Sequence, residues 1–373
     1  GLAALDVSAT CASRHADTGL CGRAAGQAAA ASSSATAAAA VTTTTACSGL
    51  LLLLNDCPGG PTTTTTTSTT TTTTEPPTTT TTSGPAPTCQ SSVPSNVPLP
   101  AGESSWTCTL DNEFDGTSLT TSSFSPLTTA STGYTTGAAA SFLSSPTAGT
   151  PCYVNNSSTV NESGGTLNIS IVQVPKMTCT DPSAVGGSFP TDYEGGDVNT
   201  LGMFSQEYGY FETSAEMPAS AIDGLQETLW LWPVNQDLHG SQWPDSGEID
   251  YAEFYSEYPQ YDVPVVHYPG SSTAQSPTSD TDACADAMGR LTAGQFNTYA
   301  LAWTPTTITA YFNNVPCITD TYAPRDTETP PAPFDQPFFL NFTAALGVNT
   351  NAFKAGTTPL PATTKIQWMR VWR

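Results

Sequence analysis

Ser246-Gly247-Glu248-Ile249-Asp250-Tyr251-Ala252-Glu253-Phe254-Tyr255 places three carboxylates within six residues, in a chain where only 11% of residues are charged. The surroundings are apolar and aromatic, with Trp243-Pro244 ahead and Phe254-Tyr255 at the end. Such β-branched and aromatic composition favours a strand. Side chains on a strand alternate between faces, so Glu248 and Asp250 point the same way. Strict alternation would put Ala252, not Glu253, on their face. A one-residue bulge at Tyr251-Ala252 returns Glu253 to it, and bulges of this kind re-aim side chains beside active sites. Two carboxyl groups about 5–5.5 Å apart suit a retaining glycosidase, and a gap of about 6.5–9.5 Å suits an inverting one. Glu248 and Glu253 on one bulged strand can reach the shorter spacing. Asp250, between them, is expected to raise the pKa of a neighbouring acid and keep it protonated near neutral pH.

The rest of the chain sets bounds on this chemistry. With 373 residues there is room for more than one domain. Nine basic against 32 acidic residues give a net charge of −23, which repels nucleic acid and anionic membranes. Ten cysteines point to disulfides and an oxidising, extracellular or cell-wall setting. With no initial Met and no charged-then-apolar leader, the chain is expected to begin at a processed Gly1. The longest aliphatic run, Leu50 to Leu54, is far short of the roughly 20 residues that span a bilayer. The three His residues have no Cys or His neighbours at zinc-like spacing, and no metal site is expected from them.

Three regions follow from composition. Residues 1–60 repeat one cysteine spacing, Cys11/Cys21 and Cys47/Cys57, around an Ala/Ser-rich tract from Ala24 to Ala40. That tract has too few large apolar residues to bury a core, so a small disulfide-stapled module is expected, serving self-association or tethering. It contains no Trp, Tyr or Phe, which argues against a sugar-stacking platform. Residues 61–88 are almost all Thr with interspersed Pro, a mucin-like linker with nothing to bury. From residue 89 to 373, short Val, Ile, Tyr, Phe, Trp and Thr runs alternate with Gly, Pro, Asn, Asp and Ser turns, the pattern of an all-β sandwich. Asn155, Asn156, Asn161, Asn168 and Asn341 sit in N-x-S/T sequons, in keeping with a secreted glycoprotein.

Several motifs from about residue 100 to 373 resemble glycoside hydrolase family 16. Glu248-Ile249-Asp250-Tyr251-Ala252-Glu253 fits its E-x-D-x-x-E signature in the bulged, laminarinase-like form, and Trp243 to Gly247 looks like its W-P-x-S-G lead-in. Trp106 and Glu113-Phe114-Asp115-Gly116 look like its opening. Phe204 to Pro218, Gly224 to Pro233, Phe296 to Phe312, Asp335 to Leu340 and Ile366 to Val371 are similar to its later strands. The chain departs from the pattern at Ser214 (usually Arg), Glu216 (Lys or Arg), Asn297 (His), Ala302 (Glu) and Ala345-Leu346-Gly347 (Gly-Gly). Loss of the Arg at 214 is expected to weaken sugar contacts.

The resemblance implies a curved antiparallel β-sandwich, a jelly roll, whose concave face holds a glycan. It implies Glu248 as nucleophile, Glu253 as general acid/base and Asp250 as their assistant, with no organic or redox cofactor and a structural calcium as an option near Glu113. Trp230, Trp232 and Trp243 are candidates for stacking on sugar, Trp243 foremost because it abuts the acidic strand. Tyr251 and His267 complete the substrate-binding candidates. The expected function is a secreted retaining endo-hydrolase of a β-glucan, with β-1,3 linkage resting on analogy alone. The competing reading is an extracellular structural or filament-forming glycoprotein that kept the fold and binds glycan without hydrolysing it.

Overall fold

The structure, a computed structural model, describes residues 87–373 apart from 120–121, 137–148, 185, 270–282, 287 and 325–327. The expected module of residues 1–60 lies outside the described residues, as does the Thr-rich linker up to residue 86. Strands in chain order begin with β1 (Cys108–Asn112), β2 (Ser125–Pro126), β3 (Cys152–Tyr153), β4 (Val160–Ser163), β5 (Thr166–Thr180) and β6 (Ser188–Gly195). They continue with β7 (Asp197–Asn199), β8 (Gly209–Glu216), β9 (Leu225–Pro233), β10 (Glu248–Tyr255), β11 (Tyr261–Asp262) and β12 (Val265–His267). The last are β13 (Cys284–Ala285), β14 (Phe296–Trp303), β15 (Thr307–Phe312), β16 (Val315–Thr321), β17 (Phe338–Leu346) and β18 (Ala362–Trp372). Among the described residues a four-residue α-helix, α1 (Thr129–Thr132), and a 3-10 turn, Asn349–Asn351, interrupt them.

Two sheets form the sandwich. The ten-stranded sheet runs β16-β15-β14-β8-β18-β5-β6-β3, with β1 added to β18 and β4 to β5. The six-stranded sheet runs β12-β10-β9-β17-β7-β2. The expected all-β, predominantly antiparallel sandwich is thus present; β3 and β6 form a parallel pair.

Alternation along each strand makes the core. Leu229 and Leu231 of β9, Ile249 and Phe254 of β10, and Leu340 and Phe342 of β17 point inward. They join one apolar cluster with Phe211 of β8, Leu301 of β14, Ile169 of β5 and Met369 of β18 on the facing sheet. Burying each such side chain is worth about 1.5–3 kcal/mol. Strand β17, in the middle of the six-stranded sheet, is buried on both faces, with all nine of its residues buried.

One polar side chain breaks the inward pattern. Glu227 on β9 lies opposite Phe254 and reaches Thr364 of β18 on the other sheet, whose hydroxyl donates to Oε2 at 2.9 Å. Its Oε1 has no hydrogen-bond partner among the described residues. Burial pushes the carboxyl well above its ordinary value of 4.5, so the folded state holds it protonated where the unfolded chain does not. Stability from this group is therefore fully present below about pH 4.5 and falls as pH rises above it, by about 1.4 kcal/mol per pH unit, until the folded group itself ionises. Glu227→Gln keeps the Thr364 contact and removes the titration. Thermal melts from pH 5 to 8 are expected to show a flatter decline for the variant than for wild type; equal declines would refute the assignment.

Four departures from the family pattern, at Ser214, Glu216, Asn297 and Ala302, fall on the ten-stranded sheet, whereas Ala345 and Leu346 end β17 of the six-stranded sheet. Ser214 on β8 pairs across to Thr298 and Trp368 and bonds the Gln367 side chain at 3.2 Å. It is therefore on the sheet opposite the acidic strand, and the expected loss of sugar contacts at this position is corrected. Glu216 pairs with Lys365 at 2.8 Å, and the Asn297 side chain donates to the Leu291 carbonyl. Ala302 is buried with Val97, Tyr210, Tyr311 and Trp372 beneath the segment that carries Val93 and Trp106. A charged side chain there would lose its hydration.

Among the described residues all six cysteines are paired, as Cys89–Cys108, Cys152–Cys179 and Cys284–Cys317. No helix of the described residues is long and apolar enough to cross a membrane. The calcium option near Glu113 does not fit what is there. The Arg370 guanidinium donates to Glu113 at 2.8 Å and lies 3.3 Å from Asp111, so a cation already fills the place between these carboxylates.

Candidate active site

The acidic stretch forms β10, and its pairing with β9 shows the bulge. Asp250 lies opposite Trp230 and Ala252 opposite Leu229, so Tyr251 is the extra residue. Beyond it the register resumes with Glu253 opposite Thr228 and Tyr255 opposite Gln226. Glu248, Asp250 and Glu253 thereby share the face turned away from the core, as the sequence pattern requires. The chain enters β10 through Gly247, at φ 80°, where an added Cβ would stand 2.7 Å from the Phe334 ring. Only glycine satisfies both the conformation and the space.

Each carboxylate has defined neighbours. The Trp243 indole N–H donates to Glu248 Oε2 at 2.5 Å, which holds that side chain from the entering loop. His267 of β12 lies opposite Glu248 and places Nε2 3.2 Å from Asp250 Oδ2, and its ring sits 5.0 Å from that of Trp243. One carboxylate oxygen each of Glu248 and Asp250 and one ring nitrogen of His267 fall within 4.8 Å of one another. Glu253 is fully buried; Tyr255 donates its hydroxyl to Oε2 at 2.9 Å, and the Gln226 amide lies 3.4 Å from Oε1. Trp243, Glu248, Asp250 and His267 are therefore brought together, and Glu253 shares the strand face of Glu248 and Asp250.

Trp230 and Trp232 also lie on the cleft face, their rings edge to face at 5.6 Å. Trp230 is half-buried, and its indole N–H donates to the Thr343 hydroxyl of β17 at 3.0 Å. Thr343 in turn donates to Asp197 of β7 at 2.5 Å. Burial pushes the Asp197 carboxyl up to about 8, so at neutral pH this end of the cleft floor is uncharged. Tyr134, from the loop after α1, stacks on Trp230 at 6.3 Å and completes an aromatic wall. No motif marked it, since it lies in a loop without a repeating pattern. Asn341 is 2% exposed on the cleft floor, so its sequon is closed to a glycan in the folded chain.

One candidate is corrected. Tyr251 is in the hydrophobic core, with its hydroxyl 2.7 Å from that of Thr213 on the opposite sheet. The bulge that turns Glu253 into the cleft leaves Tyr251 and Ala252 both on the core side, so Tyr251 does not line the substrate face.

The pattern of the family described as Glycosyl hydrolases family 16 matches residues 150–370. Among curated relatives, "Glucan endo-1,3-beta-glucosidase A1" of Niallia circulans is 29% identical over 59% of this chain and 32% of its own length. "Keratan-sulfate endo-1,4-beta-galactosidase" of Sphingobacterium multivorum is 29% identical over 52% of this chain and 43% of its own length. The chain thus spans less than half the length of either relative. Among solved structures, an endo-beta-1,3-glucanase from Pyrococcus furiosus superposes with a TM-score of 0.55 at 22% identity, covering 75% of this chain and 98% of that one, and shares its fold. With the family pattern running over more than half of its length and the bulged acidic strand within the matched span, this chain belongs to glycosyl hydrolases family 16.

Proposed function

We propose that the protein is a secreted, retaining endo-hydrolase of an uncharged β-glucan, with β-1,3 linkages as the first choice. The observation that carries this is the bulge in β10, which sets Glu248 and Glu253 on one face with Asp250 between them. In this reading the Glu248 carboxylate attacks the anomeric carbon as the glycosidic bond breaks, and Glu253 gives its proton to the departing oxygen. Glu253 then takes a proton from water, whose oxygen displaces Glu248 and leaves the anomeric configuration as it began. Asp250, next to His267, orients the nucleophile side of the strand. Trp243, Trp230 and Tyr134 offer flat apolar faces to the sugar rings.

The charge of the cleft favours a neutral glycan. The six strands of the cleft sheet carry no Lys or Arg. A sulfated chain, such as the one named for the Sphingobacterium relative, would meet carboxylates without a countercharge there. The alternative reading as a non-hydrolytic structural glycoprotein rests on the cysteine-bearing module, the Thr-rich tract and the departures at Ser214, Glu216, Asn297 and Ala302, of which the last four lie on the opposite sheet.

The test is proton NMR of laminarin and keratan sulfate incubated with the protein. Reducing ends from laminarin that appear first as the β anomer, with keratan sulfate untouched, are the expected result. A first-formed α anomer would overturn the retaining mechanism. A folded protein silent on laminarin, lichenan and other neutral β-glucans would overturn the enzyme reading.

A further inference from the structure

Glu253 faces two opposed demands if it serves as acid and then as base. It must hold a proton in the first step and lose it in the second. Burial alone would fix it in the neutral form. The strand geometry supplies a counterweight. Tyr255 follows Glu253 by two residues and shares its face, and Gln226 lies directly across the pairing from Tyr255. The Tyr255 hydroxyl donates to Oε2 at 2.9 Å, while the Gln226 amide approaches Oε1 at 3.4 Å. Tyr255 is itself only 3% exposed, packed with Val263, Val265 and Ala283, so its ring has little freedom to leave. The backbone is tied as well: the Val263 N–H donates to the Glu253 carbonyl at 3.0 Å.

We propose that Tyr255 is the positioning residue of the acid/base carboxyl, holding Oε2 while Oε1, beside the Gln226 amide, carries the proton exchanged with the glycan. This rests on the reading of Glu253 given above. A phenol that donates to a carboxylate stabilises the ionised form more than the neutral one. Tyr255 thus offsets burial and keeps Glu253 able to switch between its two roles. The other acid and imidazole groups on the strands around Glu253 are Glu248 and Asp250 on β10, Glu227 on β9, His267 on β12 and Asp262 on β11, and none is altered by a change at 255.

Tyr255→Phe keeps the ring and removes the donor. The alkaline limb of kcat/KM on laminarin is expected to move up by about one pH unit, the size of a hydrogen bond to a charged group. Activity on laminarin at its optimum is expected to fall about tenfold, because the proton donor is less well aligned. An aryl glucoside whose leaving group needs no proton should lose less than twofold in its first step. An unmoved limb with equal losses on both substrates would overturn the proposal and leave a merely structural tyrosine. If Tyr255→Phe does not fold, 3-fluorotyrosine at 255, nearly isosteric and a stronger donor, is expected to move the limb down; no movement would overturn the proposal. The same shift is readable without turnover. Carbon-13 NMR of glutamate-labelled protein, with Glu253 assigned by its loss in Glu253→Gln, follows the titration directly. A protein that hydrolyses nothing yet shows the Tyr255-dependent titration refutes the enzyme reading alone. An active protein whose Glu253 titration ignores Tyr255 refutes this inference alone.

Discussion

Glu248→Gln is expected to lower laminarin hydrolysis by about five orders of magnitude while leaving the fold intact. Removal of a nucleophile that forms a covalent intermediate costs on this scale, because the remaining groups can stabilise but not bond the developing cation. The fold should survive for a local reason. The Trp243 indole N–H that donates to Glu248 Oε2 still finds an acceptor in the amide oxygen of glutamine. The change also removes one of the two carboxylates clustered with His267, so it does not leave a new unpaired carboxylate. Near-UV circular dichroism and reducing-sugar assays check the two halves. A smaller glycine at 248 leaves a cavity beside the anomeric carbon that azide can enter, and azide attack there yields a glycosyl azide of inverted configuration. Hydrolysis by Glu248→Gln within tenfold of wild type would remove Glu248 from the nucleophile role and, with it, the double-displacement reading.

The sequence disclosed the acidic strand because its chemistry breaks the period of the strand itself. Glu253 is out of step with Glu248 and Asp250, and only an extra residue repairs the phase. The structure places that residue at Tyr251, within the predicted dipeptide. Other features were legible for similar reasons: Trp230 and Trp232 lie two apart on one face, and Gly247 closes a lead-in that only glycine can complete. Tyr255 was equally accessible, since two residues beyond Glu253 the alternation has resumed. What stayed hidden depends on pairings between distant segments. Gln226 reaches Glu253 only through the register of β9 on β10, and Asp197 reaches Trp230 only through Thr343 of β17. Ser214 was misplaced because a strand's sequence shows alternation but not which sheet the strand joins. Glu227 sits in a run, Leu225 to Pro233, whose period assigns it correctly to the core face, against the ordinary expectation that a carboxylate is solvated.

Tyr251 carries the sharpest consequence of the bulge. Its side chain is among the largest that are fully buried, and its hydroxyl joins Thr213 across the two sheets. Burial in apolar surroundings pushes the phenol well above its ordinary range, so the hydroxyl that meets Thr213 stays neutral near neutral pH. Tyr251→Ala would open a cavity the size of an aromatic ring between the sheets, beside the strand that carries all three carboxylates. The expected cost is about 3–5 kcal/mol, the range for deleting a buried aromatic side chain, and much of the stability of a domain of this kind. Tyr251→Phe fills the same space and loses one hydrogen bond, for about 1 kcal/mol, part of it from the Thr213 hydroxyl left with one fewer partner. Chemical denaturation should separate the two variants by that margin. The kinetics should separate the core position from a cleft position. In the folded Phe variant, KM for laminarin is expected to stay within twofold of wild type, because the ring never meets the sugar. A rise in KM of tenfold at unchanged stability would return Tyr251 to the substrate face, and would require the bulge to sit one residue away from where the pairing of Asp250 with Trp230 and of Ala252 with Leu229 places it.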